Sequence, residues 1–93
     1  MSSATALEAV ERILNRGGEA ADVVTAVVAA LGERGYTALV RTHTAEIGAA
    51  ADTTADVPVV FQDVPVGSVA IAGADPELTA RVATLISPYV ARL

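Results

Sequence analysis

Apolar residues change their period twice along this chain, and that switch constrains the fold more than any other feature. Residues 4–16 repeat at helical spacing. Leu7, Val10 and Leu14 lie at i, i+3 and i+7, with Ala6 and Ile13 beside them and Glu8, Glu11, Arg12 and Asn15 on the other side. Asn15, Arg16, Gly17 and Gly18 stop this helix, because glycine accepts a left-handed cap. Residues 19–34 predict a second helix, with Val23, Val24, Val27, Val28 and Leu31 on one stripe and Asp22, Thr25 and Glu33 facing away. Its four valines lower intrinsic helix propensity, so tertiary packing must hold it. Gly32 and Gly35 close it.

The period then falls to two. Residues 36–44 are β-branched and aromatic and predict a strand, with Leu39, Arg41 and His43 on one face. Residues 45–51 predict a weaker strand or a short piece of helix, and 52–56 a polar loop. Residues 57–62 and 67–73 predict an antiparallel hairpin turned by 63–66, with Pro58 marking an edge. Helical spacing returns at Asp75-Pro76-Glu77, which supplies a capping carboxylate, a proline for the first helical position and an acid near the positive helix end. Leu78, Val82, Leu85, Ile86, Tyr89 and Leu93 form its apolar stripe. Pro88 lies inside that stripe and predicts a kink near residues 84–87, with Ser87 placed to bond the carbonyl that the proline frees. The order α-α-β-β-β-β-α predicts an α+β domain, an antiparallel four-stranded sheet with helices on one face and the terminal helices side by side. Its 93 residues leave room for one domain.

The core must be assembled from small pieces. Ala (20) and Val (14) supply most of the apolar residues, and only 3% of the chain is aromatic. Small groups each remove little area from water, at roughly 25 cal/mol per Å², so close backbone approach must replace bulk. A domain of this size hides only about 60–65% of its unfolded surface, which favours support from a partner subunit.

Charge and cysteine content exclude several functions. Eleven acidic residues against six basic ones, all arginine and scattered, give a net charge of −5. Nucleic-acid binding needs a clustered basic patch, and anionic membrane surfaces repel such a chain for the same reason. With no Cys, disulfides, thiolate nucleophiles and thiolate-ligated zinc drop out together. The start of the chain lacks a basic signal-like region and no uncharged stretch approaches the roughly 20 residues of a spanning helix, so the expected setting is cytoplasmic. Lys-free, Ala/Val/Arg-rich usage points to a GC-rich bacterial genome.

Two stretches carry a family resemblance. One is Leu7-Glu8-Ala9-Val10-Glu11-Arg12-Ile13-Leu14, followed by the Val-rich helix and the strand from Tyr36. The other is the run from Val57-Pro58-Val59-Val60-Phe61 through Gly67-Ser68-Val69-Ala70-Ile71, a hairpin of the form "VPV", aromatic, polar turn, then "VG-x-V-x-I". Together they resemble a GAF domain, the small sensory module related to PAS domains. The resemblance implies strand order 2-1-4-3, with the strands from Tyr36 and Gly67 central, two N-terminal helices and a C-terminal helix on one face. It also implies a sensory module of signal transduction, and the lack of catalytic groups makes that module non-enzymatic. The helix-free face of such a sheet is left uncovered, so a symmetric homodimer is expected, with the open sheet face and the paired terminal helices as the two competing contacts. The departures are specific. GAF domains that enclose ligands roof their pocket with a long segment between early and late strands, whereas only residues 52–56 join Ala51 to Val57 here. The Asn-Lys-Phe-Asp-Glu-type motif of cyclic-nucleotide-binding members is absent, and so are the cysteines of members that reduce methionine sulfoxide. The resemblance is to a minimal GAF-like domain with a reduced or absent pocket and no cofactor. A roadblock-like scaffold fits less well, because it places a helix between its second and third strands.

Candidate site residues are few. If a ligand binds on the helix-free face, Tyr36, Arg41, His43 and Phe61 are the residues to line its pocket. A single histidine makes no metal site. Asp52 and Asp56 flank two threonines as ordinary turn chemistry, and the glycine pairs lack a phosphate-loop pattern. Ser68 and Ser87 have no neighbouring base in sequence and no nucleophile elbow, so no catalytic residue is expected. Partners narrow to a second copy of the chain or another protein.

Overall fold

The computed structural model describes residues 3–49 and 56–93. The chain runs α1 (Ser3–Arg16), α2 (Ala20–Glu33), β1 (Thr37–Arg41), β2 (Glu46–Gly48), β3 (Val57–Phe61), β4 (Val64–Ala72) and α3 (Pro76–Val90). The four strands form one antiparallel sheet in the order β2-β1-β4-β3, the order and class the sequence implied. The stretch 45–51, left between strand and helix by its sequence, contributes the short strand β2; Ala50 and Ala51 lie outside the described residues. So do residues 52–55 of the polar loop.

Register decides which residues face the helices. Ile47, Val40, Val69 and Val57 form one cross-strand row, Ala38 pairs with Ile71, and Val59 with Gly67. The valines, isoleucines and Ala38 of these rows belong to the core cluster or pack against it, together with Val24, Val27 and Leu31 of α2 and Leu78, Val82 and Ile86 of α3. α2 and α3 lie on the sheet, and α1 lies on α2 and α3; among the described residues no strand packs against α1. The helices are therefore on one side of the sheet, but as two layers: the terminal helices touch each other, and only α3 of the two touches strands.

That layering turns α1. Its sequence stripe was centred on Leu7, Val10 and Leu14, yet the buried residues are Ala6, Ala9, Val10 and Ile13, with Leu7 and Leu14 half-buried on the flank. Small residues let three helices approach closely, and the larger leucines are displaced to the margin. Tyr89 of α3 donates its hydroxyl hydrogen to the Leu14 carbonyl at 3.4 Å, tying the two terminal helices together.

α3 starts as its sequence requires. The Asp75 carboxylate accepts the Leu78 N–H at 2.7 Å, and Pro76 occupies the first turn. The helix runs on through Pro88 to Val90. Proline removes the N–H that Thr84 C=O would have accepted, and the buried Ser87 hydroxyl donates to that carbonyl instead, at 2.9 Å.

The β3–β4 turn falls earlier than the expected 63–66. Gln62 and Asp63 close it, with φ of 53° and 64°, and β4 begins at Val64. Positive φ at both central residues is the demand of a two-residue type I′ turn. Pro65 then sits inside β4, opposite Val60. It is tolerated because β1 pairs with β4 only from Ser68 to Ala72, so the proline lies where β4 has a partner on one side alone. A β-bulge between Val59 and Val60 absorbs the change in register. Gln-Asp is a poor pair for left-handed backbone, which costs ordinary residues about 1 kcal/mol or more each. The double substitution Q62N/D63G is expected to raise stability by about 1 kcal/mol, a rise of roughly 4–8 °C in melting temperature. An unchanged or lowered calorimetric midpoint would count against this turn.

Candidate functional site

The helix-free side of the sheet is set by the other rows of the register. Glu46, Arg41, Ser68 and Pro58 lie side by side, then Gly48, Leu39 and Ala70, then Thr37 and Ala72. Leu39 and Ala70 are buried but stand apart from the helix-side core. The rest of the face is mixed. Arg41 Nε lies 3.6 Å from Glu46 Oε1, and its Nη1 lies 3.7 Å from Asp56 Oδ2, so one guanidinium joins two carboxylates across the sheet. All three side chains are about half exposed, and such pairs contribute only about 0–1 kcal/mol. Their arrangement orders the face more than it stabilises the fold.

Of the four candidate residues, Arg41 and His43 lie beside one cleft. A β1–β2 turn places them, closed by the Thr42 N–H on the Ala45 carbonyl at 2.8 Å. The Thr42 hydroxyl accepts from the Ala45 N–H at 3.0 Å, and His43 stands exposed at the tip. With Pro65, Gly67 and Ser68 these residues line a surface cleft of about 320 Å³. Gly67 is required there, because a Cβ at this position would collide with the Arg41 carbonyl oxygen.

Tyr36 and Phe61 lie elsewhere. Tyr36 precedes the opposite end of β1, about 17 Å from Arg41 by strand rise, and packs against the helix-side core, as the even parity it shares with Ala38 and Val40 requires. Phe61 ends the edge strand β3, cross-strand from Val64, half-buried and outside the core cluster. Of the carboxylate pair that the sequence singled out, Asp56 is held by Arg41 and Asp52 lies outside the described residues. Among the described residues no group of three or more His, Asp or Glu is gathered closely enough to hold a metal ion, and no helix is long and apolar enough to cross a membrane.

Two features escaped the sequence reading. Among the described residues, Val60 and Val64 are the large hydrophobics that stand exposed, at 48% and 56%. They flank the β3–β4 turn, with Phe61 between them and Pro65 opposite Val60. Alternation carried a signal for Val60, since adjacent strand residues face opposite ways and Val59 is fully buried. The second is a cleft of about 380 Å³ between α1 and α3. Compared with known protein families, curated proteins and solved structures, the chain finds no match.

Proposed function

We propose that this chain is a non-enzymatic, GAF-like interaction module of a bacterial signalling protein, acting in the cytoplasm as a homodimer joined at the β3–β4 end of its sheet. The exposed pair Val60 and Val64 carries this reading. Val60 and its partner Pro65 face one way and Phe61 and its partner Val64 the other, so apolar surface covers both sides of the hairpin tip, on a chain whose small core gains from a partner. A twofold axis lets the same patch cover itself. Pro58 interrupts the outer edge of β3, so the copies meet through side chains rather than by joining sheets.

Sedimentation equilibrium tests this. The wild-type chain is expected at about 19 kDa, twice its 9.4 kDa mass. V60D/V64D is expected to weaken association about 100-fold or more, which is about 2.7 kcal/mol, with an unchanged circular dichroism spectrum. A wild-type chain that sediments as a monomer throughout the micromolar range would overturn the reading. The Arg41–His43 cleft supports a second one, a small-molecule site on the open face, since its volume of about 320 Å³ is at the low end of ligand pockets.

A further inference from the structure

The groove between α1 and α3 lies on the side of the molecule away from the sheet and goes beyond the dimer reading. Its apolar lining is the half-buried Leu7 and Leu85 with the exposed Ala80. Both leucines belong to stripes that their sequences direct inward. Both end half-buried, because Ala6, Ala9 and Val10 of α1 and Val82, Ala83 and Ile86 of α3 take the positions of closest approach. The apolar surface they keep in water is a consequence of packing small-residue helices tightly.

The walls are charged. Glu11 comes from α1, Glu77 and Arg81 from α3. Arg81 Nη2 is 3.5 Å from Glu77 Oε1, so these two offset each other. Glu11 has no ion-pair partner among the described residues. The groove thus carries one uncompensated negative charge beside an apolar lining, on a chain of net charge −5.

We propose that this groove docks a basic amphipathic helix of a partner protein. From Glu77 to Leu85 the wall of the groove rises about 12 Å, a little over two helical turns. A helix laid along it sets apolar side chains spaced i, i+3 and i+4 on Leu7, Ala80 and Leu85, and a Lys or Arg on its flank reaches Glu11. A second copy of the chain does not supply that occupant. The outer faces of α1 and α3 are polar, and the exposed large hydrophobics among the described residues, Val60 and Val64, are on strands. An acidic helix meets Glu11 without a counter-charge.

The test uses two synthetic peptides of about four helical turns with leucines at i, i+3, i+4 and i+7. One carries Lys at the remaining positions and the other Glu. The protein is used as wild type, E11K, E46K and V60D. E46K makes the same charge change as E11K on β2, away from the groove. The Leu/Lys peptide is expected to bind wild type, with amide shifts concentrated at Leu7, Ala80 and Leu85, and the Leu/Glu peptide about 10-fold more weakly or worse. E11K is expected to lose about 10-fold in Leu/Lys affinity, E46K less than about 3-fold, and V60D to bind as wild type whether or not it dimerises. Equal losses in E11K and E46K, equal affinity for both peptides, shifts centred on Val60 and Val64, or no binding would each overturn the proposal.

Discussion

Replacing Gly67 with valine is expected to leave the chain largely unfolded, and replacement with alanine to cost about 2–3 kcal/mol. The reason is the meeting of three backbones. Gly67 lies in β4 opposite Val59, next to the bulge and beneath the end of β1. A Cβ there collides with the Arg41 carbonyl oxygen and lies 3.1 Å from Val90 Cγ1 and 3.3 Å from Thr42 Cγ2. The two methyl groups can shift by a few tenths of an ångström. The carbonyl cannot, because the Thr42 N–H of the same peptide is held on the Ala45 carbonyl by the β1–β2 turn and Arg41 itself is paired with Ser68 in the β1–β4 ladder. The penalty is steric and owes nothing to left-handed backbone. Gly32 supplies the control. It sits in α2 with nothing within 4 Å of its virtual Cβ, so Gly32→Ala is expected to stabilise by about 0.5–1 kcal/mol through helix propensity. A chain of 93 residues has about 5–14 kcal/mol of stability in total, so the two alanine variants move the urea midpoint measurably in opposite directions. A Gly67→Ala midpoint within error of wild type would show that β1 and β4 do not approach as described.

The features that the sequence made legible are those whose causes are local. Asp75-Pro76-Glu77 names the start of α3, because cap, proline and dipole all act within one turn, and the Asp75 carboxylate is on the Leu78 amide. Ser87 beside Pro88 names its own hydrogen bond for the same reason. The strand order followed from the resemblance and from which segments alternate. What was not legible depends on neighbours distant in sequence. Leu7 and Ala9 both lie near the apolar side of α1, and only the approach of α2 and α3 selects Ala9 for burial. The Gln62-Asp63 turn lacks the Asn-Gly signature, so Pro65 attracted the prediction instead. Of the proposed site residues, Arg41 and His43 are together because one strand and its turn carry both. Phe61 is on another strand, and its place depends on a bulge that no local pattern announces.

The small-residue core leads to the last expectation. Among the described residues, the fully buried side chains larger than valine are Leu31, Ile71, Leu78 and Ile86. Each therefore fills an unusual share of the space between helices and sheet. Ile86, at 0% exposure, is on the face of α3 directed into the core. Ile86→Ala removes three carbons among residues poorly able to follow. Val82 and Val90 on α3 and Val24 and Val27 on α2 are β-branched and hold one favoured rotamer in a helix. The void stays open, and the expected cost is about 3–4 kcal/mol, against about 1 kcal/mol for Ile86→Val. Leu85, its neighbour on the flank, is half-buried, so Leu85→Ala removes as many carbons and is expected to cost only about 1 kcal/mol. In calorimetry at one fixed protein concentration, I86A is expected to melt about 12–30 °C below wild type and L85A no more than about 8 °C below. Equal losses from the two alanines would mean that α3 presents a different face to the sheet, and that Leu85 is core rather than the lining of a groove.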